Sequence, residues 1–108
     1  MKDDNFLIAI KCKKTIEFIL KLIDNYPKKY SMWKDRITYT CFDLLESIYI
    51  SNIDNSYKKY LIPKIKLLDY YLKLSFKYKI ISDKKYDMAG RFLLELVKMI
   101  MGWNNEKS

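Results

Sequence analysis

Glycine and proline are nearly absent: two of each occur in 108 residues. Sandwiches, barrels and glycine-rich phosphate loops all depend on those residues for turns and close backbone approach, so the chain has little means of building them. Half of its residues are apolar and 31% are charged, which is enough to fill one core and too ordered a mixture for a disordered chain. At this length a single domain is expected, and helices are the element that such a composition favours.

Hydrophobic spacing divides the chain into four helical stretches. The first runs from about Asn5 to Asp24, with Cys12, Ile16, Ile19, Leu20 and Ile23 inward, and stops before Tyr26-Pro27. Its polar side, Lys14, Glu17, Lys21 and Asp24, alternates in sign and reads as a solvated ion-pair ladder. The second starts between Lys28 and Lys34 and continues to about Ser51, with Trp33, Ile37, Cys41, Leu44, Leu45 and Ile48 inward. A turn at Asn52 to Ser56 leads into a third, roughly Ser56 to Lys79, which either kinks at Pro63 or begins near it. Ser82 caps the fourth, whose inward side carries Tyr86, Ala89, Leu93, Leu96, Ile100 and Trp103. Short connections between helices of similar length predict an all-α, antiparallel up-down four-helix bundle spanning residues 1–108.

Much chemistry is excluded at the same stage. The chain has no histidine, so imidazole zinc sites and histidine-dependent triads cannot form. Asp43 and Glu46 could share a helix face, but no phosphate loop, nucleophile elbow or metal-ligand spacing accompanies them, and neither enzyme, metal nor cofactor is expected. Cys12 and Cys41 read as reduced core thiols, with a disulfide as the alternative. The longest uncharged stretches, Ser47 to Ile53 and Met99 to Asn105, are seven residues each, far below the roughly 20 of a membrane span. Asp3 and Asp4 precede only a six-residue uncharged stretch, unlike a secretory signal, so a cytoplasmic protein with no membrane partner is expected.

The charge is unevenly placed. Of the net +8, residues 1–30 carry +3, 31–54 carry −2, 55–81 carry +6 and 82–108 carry +1. Projected at about 100° per residue, Lys59, Lys66, Lys73 and Lys77 fall on one line of the third helix, and of these Lys59 depends on the phase surviving Pro63. Such a line repels itself unless a polyanion or an acidic protein surface covers it, and a nucleic-acid backbone is the natural cover. An AT-rich coding sequence would yield the same lysine excess with no binding role. Beside the line, Tyr60, Leu67, Tyr70, Tyr71, Leu74 and Tyr78 widen the apolar arc beyond what one core-facing helix needs. Subunit packing is the reading favoured for this arc, with base stacking as the alternative.

The segments KDRITYTCFDLLESI (residues 34–48) and SDKKYDMAGRFLLELVKMIMGW (residues 82–103) resemble the accessory variability determinant (Avd) proteins of diversity-generating retroelements. The shared points are Asp35-Arg36, Asp43-Leu44-Leu45-Glu46, Tyr86, Ala89, Glu95, Lys98, Met99, Gly102 and Trp103. The resemblance implies a basic, barrel-like homopentamer of four-helix bundles that binds a reverse transcriptase and its template RNA in error-prone cDNA synthesis. It adds Arg36 and Lys98 to the candidate binding residues and supports Lys73; Arg91 completes the set, and Trp103 joins the expected oligomer contact. Asp69, Val97 and Met101 depart from the family pattern, and the stretch from Pro27 to Arg36 is one residue short. A sister family of bundles encoded in ribosomal RNA intervening sequences shares the fold and stands as the alternative, as does a purely structural interaction bundle.

Overall fold

The ends of the helices are set by local chemistry. In the computed structural model, which describes residues 6–103, α1 (Leu7–Ile23) stops ahead of Pro27. Helix α2 (Ser31–Ile53) runs past the expected stop at Ser51. Its last turn is held by the Asp54 N–H donating to the Ile50 carbonyl at 2.8 Å. Asp54 then ends it and starts the next turn, its Oδ1 accepting from the Ser56 N–H at 3.1 Å and from the Ser56 hydroxyl at 2.7 Å. A 3₁₀ segment (Asn55–Tyr60) follows, and α3 (Leu61–Lys77) begins only after it, with Pro63 in the first turn where its missing N–H costs nothing. The third helix is therefore shorter than the sequence pattern suggested, and Lys59 lies outside it.

The end of α3 is a Schellman stop. Lys79 N–H donates to Phe76 and Ile80 N–H to Ser75, at 2.9 and 2.8 Å, with Lys79 left-handed at φ 61°. Ser82 caps α4 (Asp83–Met101) by accepting from the Lys85 N–H at 3.1 Å, and Asp83 in the first turn complements the helix dipole.

The four helices form a bundle 46 × 23 × 23 Å in extent, each packed on two neighbours in the cyclic order α1, α2, α3, α4. Cross-helix pairs step in opposite directions along α2 and α3: Arg36 meets Tyr71, and Asp43 meets Lys64. Between α1 and α4, Lys11 meets Glu95 and Phe18 meets Phe92.

The inward stripes are those the spacing called for. Cys12, Ile16, Ile19 and Ile23 are buried from α1; Ile37, Cys41, Leu44 and Ile48 from α2. Leu61, Ile65, Leu68 and Leu72 are buried from α3, and Ala89, Leu93, Leu96 and Ile100 from α4. Each large side chain contributes about 1.5–3 kcal/mol by leaving water. Leu20, Leu45 and Tyr86 are half-buried at the margins. So is Trp33, which packs on Tyr30 and Tyr78 at 5.1 and 5.3 Å instead of entering the core.

Small polar residues share the interior by bonding back to their own helices. Thr15, Thr40, Ser51 and Ser75 each donate to the carbonyl four residues back, at 2.8–3.0 Å. Cys12 and Cys41 are free thiols, fully buried, with burial pushing both up to about 12, so neither is a nucleophile in the folded chain. The ladder expected on α1 does not close: Lys14, Glu17 and Lys21 make no ion pair with one another, and Asp24 instead approaches Lys34 of α2 at 3.8 Å.

Candidate nucleic-acid interface

Helix α3 turns its buried seam into the bundle and thereby presents the opposite side to solvent. Lys66, Lys73 and Lys77 stand exposed there, within about 40° of one another, with the Tyr70 ring on the same line and 54% exposed. None of the three lysines makes an ion pair or hydrogen bond among the described residues. Asp69, the one carboxylate in α3, is half-buried on the α4 side and accepts a hydrogen bond from the Tyr86 hydroxyl at 3.2 Å. Burial and this carboxylate hold the Tyr86 phenol above its ordinary pKa, so the proton stays on the bond.

Beside the lysines runs an open groove between α3 and α4 of about 610 Å³. Lys66, Asp69, Tyr70 and Lys73 form one wall; Gly90, Leu94 and Val97 form the other. A Cβ on Gly90 would meet nothing within 4 Å, so the groove is open at that residue.

Several other cations are differently employed. Lys64 pairs with Asp43 of α2 at 2.7 Å, and this bond raises the Lys64 pKa. Lys11 binds Glu95, whose carboxyl is held low by that contact. Of the sequence-derived candidates, Lys59 sits on the segment before α3 with its ammonium 5.5 Å from the Tyr60 ring, out of register with the helical line. Arg36 is on α2, its Nε donating to the Tyr71 hydroxyl at 3.4 Å, an interaction that raises its pKa. Arg91 is tied to Asp87 at 3.0 Å, one turn earlier on α4. Lys98 lines the groove between α1 and α4, on another face. The structure thus brings together Lys66, Lys73 and Lys77, and leaves Lys59, Arg36, Arg91 and Lys98 apart from them.

The expected oligomer residues divide in the same way. Tyr60, Leu67, Tyr70 and Tyr78 are 46%, 45%, 54% and 59% exposed. Tyr71 and Leu74 are half-buried, Tyr71 against the core. Trp103 closes the end of the monomer: its carbonyl accepts from Lys58 at 2.6 Å, its ring lies 4.9 Å from that ammonium, and Phe6 packs on it at 5.6 Å. One exposed feature had no place in the sequence reading, an outward apolar line on α2 that includes Tyr39 and Phe42; its spacing of three and four residues outside the inward stripe is the signal that would have revealed it.

Among the described residues no group of three or more carboxylates or thiols gathers to hold a metal ion, and no helix is long and apolar enough to cross a membrane. No family model and no curated protein matches this sequence.

Proposed function

We propose that the chain is a non-enzymatic accessory protein of a diversity-generating retroelement, a basic homo-oligomeric bundle acting in the cytoplasm. In this reading it holds template RNA and its reverse transcriptase through the outer face of α3. The observation that carries the reading is the line of Lys66, Lys73 and Lys77, exposed and in no ion pair among the described residues, while Lys11, Lys34, Lys64 and Arg91 all find carboxylates. A polyanion compensates such a line and gains affinity from released counterions. Tyr70, set between the lysines, offers a ring for an unpaired base.

The similarity of residues 34–48 and 82–103 to the Avd family supplies the biological setting and the partner enzyme. The exposed arc of Tyr60, Leu67 and Tyr78 supplies surface for the pentameric assembly that the similarity implies.

The test is binding of a structured RNA by wild type and by K66E/K73E/K77E, with circular dichroism to show equal helicity. Loss of roughly 100-fold in affinity near 0.15 M salt, and steep weakening of the wild type as salt rises, are expected. Retention that ignores both salt and the triple reversal would leave a structural interaction bundle as the better description.

A further inference from the structure

Three kinds of surface meet in the groove between α3 and α4. Lys66 and Lys73 stand exposed on its rim, about 10 Å apart along the helix axis, with the Tyr70 ring between them. Ile65 and Leu93, both buried, give it an apolar floor, and Leu94 and Val97 line the α4 side. Inward of the lysines lies one carboxylate, Asp69. Its Oδ1 accepts from the Tyr86 hydroxyl at 3.2 Å, and its Oδ2 has no hydrogen-bond or ion-pair partner among the described residues.

Gly90 adds an independent observation. It lies in the interior of α4, where glycine weakens a helix, yet a Cβ there would meet nothing within 4 Å. Packing among the described residues therefore does not call for glycine, whereas a longer side chain at this lining position would stand in the groove.

We propose that the groove takes one unpaired guanine base of a single-stranded RNA with its flanking phosphates on Lys66 and Lys73, an assignment that rests on reading the lysine line as an RNA-binding face. The order of charges decides which part of the ligand goes where. Phosphates stay on the rim, because Asp69 repels an anion that goes deeper. What enters is uncharged, flat enough to lie on Tyr70 and apolar on its faces, which a nucleobase is and the carboxylate of an acidic peptide is not.

Asp69 then discriminates among bases. A carboxylate only accepts hydrogen bonds, and it accepts best from two parallel donors, as its pairing with the arginine fork illustrates. Each of its oxygens has two lone pairs, so Oδ1 can serve Tyr86 and a base together. Guanine is the base whose Watson–Crick edge sets two donors side by side, N1–H and the N2 amino group. Adenine and cytosine offer one amino group beside a ring acceptor, and uracil one N–H between two carbonyls that a carboxylate repels. Base pairing would occupy these donors, so the guanine belongs to a single strand.

The experiment measures binding of the full chain to a short oligouridine and to the same oligomer carrying spaced guanosines or inosines, at physiological salt. Guanosine should tighten binding about tenfold, and inosine, which lacks only the N2 amino group, should forfeit most of that gain. Asp69→Asn should abolish the difference while oligouridine stays bound. Tyr70→Ala should weaken both oligomers alike, since stacking tolerates every base. Leucine is a better helix former than glycine, so Gly90→Leu should keep the helicity seen by circular dichroism. It should remove the guanosine preference and leave duplex RNA, held by its phosphates, bound as before. Equal affinity of the wild type for the two oligomers, a preference that survives Asp69→Asn or Gly90→Leu, or displacement of the RNA by polyglutamate of equal charge would overturn the assignment. Salt-dependent binding without base preference would strike the base site alone. A guanosine preference kept at full affinity by K66E/K73E/K77E would strike the lysine line alone, and no binding of any RNA would strike both.

Discussion

Helices α2 and α3 lie side by side and both turn rings toward solvent, yet the charges set among those rings are opposite in sign. On α3 they are Lys66, Lys73 and Lys77; on α2 they are Asp35 and Glu46. The inner faces of the two helices are near copies in kind, aliphatic stripes of helical spacing that fill one core. What separates the helices is therefore their outer faces. A net charge quoted for the whole chain hides this, because the +8 is a sum over a segment of +6 that includes α3 and a segment of −2 that includes α2. The two signs meet at the Lys64–Asp43 pair, which bridges the helices at 2.7 Å with about three-quarters of each side chain shielded.

The largest effect that would sharpen this contrast is in the salt dependence of RNA binding. Each phosphate contact to a single strand adds about 0.7 to the slope of log affinity against log salt, so K66Q/K73Q/K77Q should lower the slope by about 2. Phe42→Glu on α2 should leave the slope where it was. Equal changes from the two variants would mean that RNA does not distinguish the faces.

Next in size is the bridge between them. Asp43→Ala leaves Lys64 half-buried and unmatched, and should destabilise the fold by about 1–2 kcal/mol, read from urea unfolding. The sign with pH follows from the raised pKa of Lys64. Its stabilising effect is complete below the ordinary lysine pKa and is lost as pH rises through the higher folded value. The difference between wild type and Asp43→Ala should accordingly shrink in strong alkali; a difference constant with pH would show that the bond is not what joins α2 to α3.

Much of the fold was legible in the sequence because apolar spacing alone decides which side of a helix faces in. Ile37, Cys41, Leu44 and Ile48 needed nothing else, and neither did Leu61, Ile65, Leu68 and Leu72. Projection failed where it assumed an unbroken helix. Lys59 falls on the α3 line only if the chain before Leu61 keeps a 3.6-residue period, and the tighter turn of Asn55–Tyr60 removes it. The first-helix ladder failed for another reason: pairing of exposed charges depends on competing partners across helices, such as Lys34 for Asp24, which one-dimensional spacing does not contain; the Arg91–Asp87 pair, one turn apart on α4, was within reach of that spacing. The α2 line was present in the sequence but masked, since Tyr39 and Phe42 sit among other apolar residues and stand out only when the inward stripe is subtracted.

A smaller effect concerns where α3 stops, which fixes the position of Lys77 and Tyr78 beside it. Lys79 adopts a left-handed backbone at φ 61°, a conformation that costs an ordinary residue about 1 kcal/mol and glycine nearly nothing. Lys79→Gly should therefore raise stability by up to about 1 kcal/mol with no change in RNA affinity, Lys79 lying past the line. A loss of RNA affinity would extend the binding face beyond the helix end.

The smallest effect is expected at Tyr26, in the connection between α1 and α2. Its hydroxyl is buried and reaches no partner at hydrogen-bond geometry among the described residues. The Ser75 hydroxyl of α3 is near enough to offset part of the rise in phenol pKa that burial causes, but its own proton goes to the Tyr71 carbonyl at 3.0 Å. Tyr26→Phe removes an oxygen that gains nothing from burial, so stability at neutral pH should be unchanged or higher by less than about 1 kcal/mol. The neutral phenol is what the fold accommodates, and its contribution is complete below the ordinary phenol pKa near 10 and lost as pH rises through the raised folded value. Alkaline unfolding of Tyr26→Phe should then begin at higher pH than that of wild type. A loss above 1 kcal/mol at neutral pH would show instead that Ser75 turns its proton toward Tyr26, making that bond a tie between the α1–α2 connection and α3.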